Sequence, residues 1–299
     1  MAGDFAFVTN QNSSDVSVID LNARREVSRV PVPGKPAGVA AHAESETYFT
    51  VSPDTKTVRK IDQKNGSVLG ALILDGGPIG IALSPDADRA FVSDWYNARI
   101  WVIDTQAMAV LEILQTGSAP AGLAISPDGK VLISADRDAD QISIFDLNAL
   151  HLVHTVHVGE RPFGVSFAPD GRAFAGNVGS NSVSVIDPKR GVVIGTVATG
   201  ERPYGVAFAG GKGFVTNQYS DTVTVFDLTT LAPIATLDVG EYPEGIDVTT
   251  DGQTIVVANW FSNSVSLIDV RTLEVMGEIE TGDGPRAFGL FISASAGRE

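Results

Sequence analysis

An aspartate closes an apolar run seven times in this chain, at Asp20, Asp62, Asp104, Asp146, Asp187, Asp227 and Asp269. The steps between them are 42, 42, 42, 41, 40 and 42 residues. A proline keeps the same steps, at Pro36, Pro78, Pro120, Pro162, Pro203, Pro243 and Pro285. Two places after six of those prolines stands a glycine, at Gly38, Gly80, Gly122, Gly164, Gly205 and Gly245, and Ala287 takes the seventh place. A register held this long means seven copies of one unit, near 5–46, 47–89, 90–131, 132–172, 173–212, 213–254 and 255–299. A length of 299 residues would by itself suggest two domains. The repeat overrides that and makes 1–299 a single domain.

Each unit reads as four short strands separated by turn residues. In the fifth, Gly164-Val-Ser-Phe-Ala168 gives a first strand and Pro169-Asp-Gly171 ends it. Ala173-Phe-Ala-Gly176, Val183-Ser-Val-Ile186 and Val192-Val-Ile-Gly-Thr-Val197 give the next three. No segment keeps a helical period over three turns. Four antiparallel strands per repeat make one propeller blade, so the expected fold class is all-β, a seven-bladed β-propeller. A lone four-stranded sheet cannot bury both faces, whereas radial stacking buries each against a neighbour. The recurring Asp is expected to accept backbone N–H groups in the turn after it. The proline and glycine are expected where the chain turns sharply from an outer strand back to the axis. The chain starts on a second strand (Phe5 to Val8) and ends on a first strand (Phe288-Gly-Leu-Phe-Ile292), so the last segment is expected to pair into the first blade and remove the open edge.

Composition narrows the function. The net charge of −15 repels phosphate backbones, which argues against general nucleic-acid binding. With no cysteine, disulfides and thiolate metal sites are excluded. No apolar run approaches the roughly 18 residues of a membrane span, and P-loop and dinucleotide signatures are absent. Met1-Ala-Gly-Asp leads straight into the first strand, so the expectation is either a cytoplasmic protein or a mature form with an added start methionine. His42 falls at the far end of an inner strand, and His151, His154 and His157 fall on an outer one, so neither a histidine-ligated metal nor a Ser-His-Asp mechanism is expected. No cofactor is expected.

The second strands carry a family resemblance. Phe7-Val-Thr-Asn10, Phe214-Val-Thr-Asn217, Phe91-Val-Ser-Asp94 and Val257-Ala-Asn259 resemble the Tyr-Val-Thr-Asn signature of the YVTN-family propellers. Ser17-Val-Ile-Asp20, the junction Val158-Gly-Glu-Arg-Pro-Phe-Gly-Val165 and Ser126-Pro-Asp-Gly129 match its companion elements across the whole chain. WD-repeat proteins are not resembled, for want of their Gly-His and Trp-Asp pairs. Blade two departs most: Val51-Ser-Pro53 replaces the signature and Lys60 stands where other blades have Val, so that blade is expected to be looser. The resemblance implies an extracytoplasmic setting, periplasmic or secreted, among surface-layer modules, periplasmic proteins of quinone-cofactor pathways and the propeller subunit of quinohaemoprotein amine dehydrogenase. It implies a binding or scaffold role and names no reaction.

Two loop sets frame one mouth of such a ring. The outer-to-inner junctions of blades one to three offer small or apolar residues, whereas later ones offer Arg161, Phe163, Arg202, Tyr204, Tyr242, Glu244 and Arg286. The residue just after each proline is expected nearest the axis. The loops between second and third strands add Trp95, Tyr96, Arg137, Tyr219, Trp260 and Phe261. Aromatic residues with arginine make the composition of binding hot spots, and arginine reads carboxylate or phosphate in bidentate fashion. The expected role is non-catalytic binding of a small anionic or aromatic molecule, or of a partner protein, by a monomer at the mouth over blades four to seven. One alternative is a lyase, hydrolase or oxidoreductase component using Glu244 as base beside Arg286. Another is a surface or scaffold module without a pocket. Two plainer roles are open to these residues: inter-blade ion pairs around the ring made by Glu160-Arg161 and Glu201-Arg202, and aromatics covering the ends of the blade cores. A hard cation held by Glu201, Glu241, Glu244 and Asp283 was a further option.

Overall fold

A computed structural model describes residues 3–294. Seven four-stranded antiparallel sheets form a closed ring. The fifth blade runs outward from Pro162–Phe167 through Ala173–Asn177 and Ser182–Asp187 to Val192–Ala198. The first blade closes as expected: Ile292–Ala294 pairs with Asp4–Asn10 in the place an inner strand holds elsewhere. Each sheet therefore takes its inner strand from the end of the preceding sequence window. No helix among the described residues is long and apolar enough to cross a membrane.

Middle strands carry bulky residues on both faces because both faces are buried. Phe49, Val51 and Val58 of blade two pack with Ile81, Val92 and Trp101 of blade three. Phe174 and Val183 of blade five pack with Val206, Val215 and Phe226 of blade six. Each such side chain contributes about 1.5–3 kcal/mol through burial. Outer strands, with one face in water, keep exposed residues, as in Arg25–Pro31. Blade two is not looser. Its Thr47–Ser52 strand is buried throughout, Arg59 Nη1 donates to Ser52 Oγ at 2.9 Å, and Lys60 Nζ reaches the Thr105 carbonyl at 3.3 Å.

The repeated residues have separable jobs. The Asp that ends each third strand accepts turn N–H groups, as Asp146 does from Asn148 and Ala149 at 2.8 and 3.0 Å. In blade six the last residue of the second strand ties three segments together. Asn217 Nδ2 donates to Thr222 and Thr224 on the third strand, and its Oδ1 accepts from Gly200 N at 3.1 Å in the junction loop. That junction glycine lies flat on the amide, which leaves no room for a Cβ at Gly200 or at its counterparts Gly159 and Gly240.

The glycine after the proline does not make the turn. None of the six has a positive φ. A Cβ on Gly38, Gly80, Gly122, Gly164 or Gly245 would overlap a carbonyl oxygen of the next blade's inner strand, because those strands converge at the axis. The turn falls instead on the residue before the proline, which is left-handed at Lys35, Ala119, Arg161, Arg202, Tyr242 and Gly284. A side chain of the preceding blade holds that strained N–H: Asp140 for Arg161, Asn181 for Arg202 and Asp221 for Tyr242, at 2.7–2.9 Å. This fixes where Arg202 and Tyr242 start and hence where they aim.

Closure is latched by Asp247, which is buried on the inner strand of blade seven. Its Oδ2 accepts the Phe291 and Ile292 N–H groups at 2.8 and 2.9 Å, and its Oδ1 accepts its neighbour Val248 N. Burial pushes this carboxyl up to about 6 even though the three N–H groups oppose the shift, and Asp4 adds repulsion. An unfolded Asp releases its proton near ~4. Ionising Asp247 in the fold therefore costs stability. Its contribution is full at low pH and falls by about 3 kcal/mol as pH rises from about 4 to about 6. Urea midpoints should show the wild type losing stability relative to Asp247→Asn across that window. Parallel curves would mean that folding does not change how tightly Asp247 holds its proton.

Candidate functional site

Two rings of positions line the mouth. The first is the residue after each proline: Ala37, Ile79, Ala121, Phe163, Tyr204, Glu244 and Arg286. The second is the residue after each second strand: Gln11, Pro53, Trp95, Arg137, Val178, Gln218 and Trp260. Backbone hydrogen bonds pin the second ring to the junctions. Trp95 N donates to Gly77 O at 2.9 Å, Gln218 N to Arg202 O at 3.0 Å and Trp260 N to Tyr242 O at 2.9 Å.

The asymmetry of the first ring has a packing consequence. Phe163, Tyr204 and Phe288 stack with centroids 4.5–5.8 Å apart, against Ala121 and Val178. Small residues on one side of the ring leave the space that large rings from the other side fill. Phe163 and Tyr204 are thus buried members of an axial plug, a place in the pore rather than over the end of a blade core. The plug stands between two cavities. The mouth cavity has about 370 Å³, lined by Trp95, Arg137, Arg202, Tyr242 and Trp260 around a floor of Tyr204, Glu244 and Arg286. The far cavity has about 440 Å³, lined mostly by apolar inner-strand residues such as Ile81, Leu123 and Ile125, with His42 on its border.

The floor is a buried ion pair. Arg286 Nε lies 3.1 Å from Glu244 Oε2, and Arg286 Nη2 donates to Tyr204 Oη at 2.5 Å. Gln218 Nε2 donates to Glu244 Oε1 at 2.7 Å. Burial raises the Glu244 carboxyl above its ordinary range, against the pull of Arg286. Burial works against the Arg286 charge too, but Glu244 and Tyr204 outweigh it and hold it protonated. The pair is neutral as a unit. Higher up, Arg137 pairs with Asp138 at 2.5 Å and lies over the Trp95 ring. Arg202 is different. Its Nη1 donates to Tyr219 Oη at 2.9 Å and its guanidinium lies 4.3 Å from that ring, while its buried Nε has no hydrogen-bond partner. Among the described residues no carboxylate pairs with it. Tyr242 completes the wall, touching Tyr219, Trp260 and Phe261. Burial and Tyr219 push its hydroxyl up to about 12.

The structure brings nine of the thirteen residues marked in the sequence around this cavity: Trp95, Arg137, Phe163, Arg202, Tyr204, Tyr242, Glu244, Trp260 and Arg286. Tyr96, Arg161, Tyr219 and Phe261 stay outside its lining and are exposed. Of these, Tyr219 still bears on the cavity by holding Arg202. Glu160, Arg161, Glu201 and Arg202 form no inter-blade ion pairs among the described residues. Glu201, Glu241, Glu244 and Asp283 do not gather, and among the described residues no cluster of three such groups is placed to hold a metal ion. The linings missed in the sequence are Gln11, Val178 and Gln218. One signal would have found them: they stand one place after the second-strand signature, in the same seven-fold register as Trp95 and Trp260.

With the geometry in hand, comparisons place the chain among known propellers. The family model described as YNCE-like β-propeller matches residues 166–296, and that described as lactonase, seven-bladed β-propeller, matches residues 92–209. No match was found among curated proteins. Among solved structures, a hydrazine synthase from Kuenenia stuttgartiensis superposes with a TM-score of 0.77 at 20% identity, covering 87% of this chain and 90% of that one. A functionally unknown protein from Desulfotomaculum acetoxidans DSM 771 superposes with a TM-score of 0.82 at 17% identity, covering 97% and 98%. At such identities the likeness is one of fold. The chain is a seven-bladed β-propeller, similar over its second half to the YNCE-like propellers and over its middle to the seven-bladed lactonase propellers.

Proposed function

We propose that this propeller binds a small anionic ligand with an aromatic part at the mouth above the Phe163–Tyr204–Phe288 plug. The observation that carries the reading is Arg202. It is a half-buried cation facing a cavity, without a carboxylate partner among the described residues, in a chain of net charge −15. A fold that needed Arg202 only for stability would be expected to neutralise it from its many acids. Trp95, Tyr242 and Trp260 supply flat walls, and ligand sites commonly combine such walls with few polar groups.

The enzyme reading has one observation in its favour, the raised carboxyl of Glu244. Against it, Oε1 accepts from Gln218, and Oε2 sits 3.1 Å from the Arg286 guanidinium in an ion pair, though without an aligned hydrogen bond. The lactonase-type match ends at residue 209 and so reaches neither Glu244 nor Arg286. Glu244 is better read as the group that holds Arg286 and Gln218 in place.

Phenylacetate serves as a probe, its binding followed by tryptophan fluorescence, since Trp95 and Trp260 line the cavity and Trp101 is buried between blades. Arg202→Gln should weaken binding at least about tenfold, the loss of one charge-assisted hydrogen bond, with unchanged melting temperature. Equal affinity in both proteins would refute the assignment.

A further inference from the structure

Beside Arg202, the mouth holds a second buried group without a partner. Gln218 is only 3% exposed, and its Nε2 is spent on Glu244. Its Oε1 accepts no hydrogen bond among the described residues. A buried amide carbonyl left open in this way is an acceptor waiting for a donor. The backbones of the two residues are joined by the Gln218 N–H to Arg202 carbonyl bond at 3.0 Å, so both side chains leave one wall from neighbouring points and line the same cavity. One offers a charged donor through Nε and the other a neutral acceptor through Oε1. The complement is an anion with a hydrogen-bond donor next to it.

Phosphate fits poorly. Of the three mouth arginines, Arg286 is held by Glu244 and Tyr204 and Arg137 by Asp138, so among the described residues Arg202, which feels Glu244 only through space, is the one outside an ion pair. A lone guanidinium suits a carboxylate, whose two oxygens it can meet side by side. The flat walls of Trp260 and Tyr242 and a volume of about 370 Å³ admit a ring beyond the carboxylate.

Resting on the mouth reading above, we infer that the ligand is a small carboxylate whose adjacent carbon carries an O–H or N–H donor, an α-hydroxy or α-amino acid with a flat side group. The carboxylate meets Arg202, the donor meets Gln218 Oε1, and the ring lies against Trp260 and Tyr242. A site built to receive a donor discriminates against the analogue that lacks it, because its buried acceptor is then left bare.

Mandelate and phenylacetate differ only in the α-hydroxyl group, and phenylglycine carries an α-ammonium donor in its place. Calorimetric titration of the wild-type chain should show mandelate or phenylglycine binding at least about tenfold more tightly than phenylacetate. Gln218→Met should bring the mandelate-to-phenylacetate ratio close to one, whatever the loss of its bond to Glu244 does to the affinity for both. Should that variant fail to fold, the wild-type ratio alone still decides. Equal affinities for all three, lost together in Arg202→Gln, would overturn the donor-matching inference and leave the mouth reading standing. No binding of any of the three would overturn both.

Discussion

A chain ending at Pro285 is expected to lose cooperative folding, with a fall in melting temperature of more than about 15 °C or outright aggregation. The segment removed does three jobs at once. Ile292–Ala294 supplies the inner strand of the first blade. Phe291 is fully buried, and Phe288 completes the axial plug. The backbone between them stitches two blades, since Phe7 N donates to Phe291 O at 2.8 Å, and Val39 N and Ala41 N donate to Phe288 O and Leu290 O at 3.0 and 2.8 Å. Two buried aromatics at about 1.5–3 kcal/mol each and several hydrogen bonds at about 1 kcal/mol each approach the whole stability of a domain. The cut also bares the edge of Asp4–Asn10, a strand that is otherwise paired on both sides. Thermal melts and light scattering on the shortened chain check this. An unchanged melting temperature would mean that the ring does not depend on its closing strand.

Gly164→Ala should destabilise the protein by about 3 kcal/mol or more, the upper end for overpacking, because a backbone oxygen cannot swing aside. The added methyl would overlap the Tyr204 carbonyl oxygen on the next inner strand. Gly171→Ala is the contrasting substitution. That glycine has φ +85° and nothing within 4 Å of an added Cβ, so its cost is one left-handed residue, about 1 kcal/mol. Denaturant unfolding of the two variants should separate them by about 2 kcal/mol or more. Gly164→Ala should also weaken ligand binding, since Tyr204 sits beneath Arg286 in the cavity floor. If the order of the two were reversed, crowding at the axis would not be why the glycine recurs.

The blade count, the strand order and the closing strand were legible because each is written seven times and every copy obeys the same sheet geometry. Asp146 and its six equivalents were legible for the same reason, since an Asx turn is local chemistry. Gly164 was misread as a turn residue because its constraint comes from another blade, and sequence spacing does not show which carbonyl it faces. Blade two shows the same limit. Ser52 breaks the pattern, yet Arg59, seven places on, fills the gap. At the mouth, Arg202 and Trp260 stood out as conspicuous residue types. Gln218 did not, because a glutamine in a loop is ordinary until its burial and its empty carbonyl are known. The uneven distribution of large residues over the blades pointed to the right sector but mixed two roles. Phe163 and Tyr204 fill the axis, and Arg202 faces the cavity above it.

The mouth assignment is tested most directly by the three tryptophan indole N–H resonances of the ¹⁵N-labelled chain, recorded as phenylacetate is added. Trp95 and Trp260 border the cavity, while Trp101 lies in the core between blades two and three and serves as internal reference. The account predicts saturable shifts for the first two, a still third signal, and a midpoint moved to at least about tenfold higher phenylacetate in Arg202→Gln. Movement of none, or shifts with the same midpoint without Arg202, would contradict it.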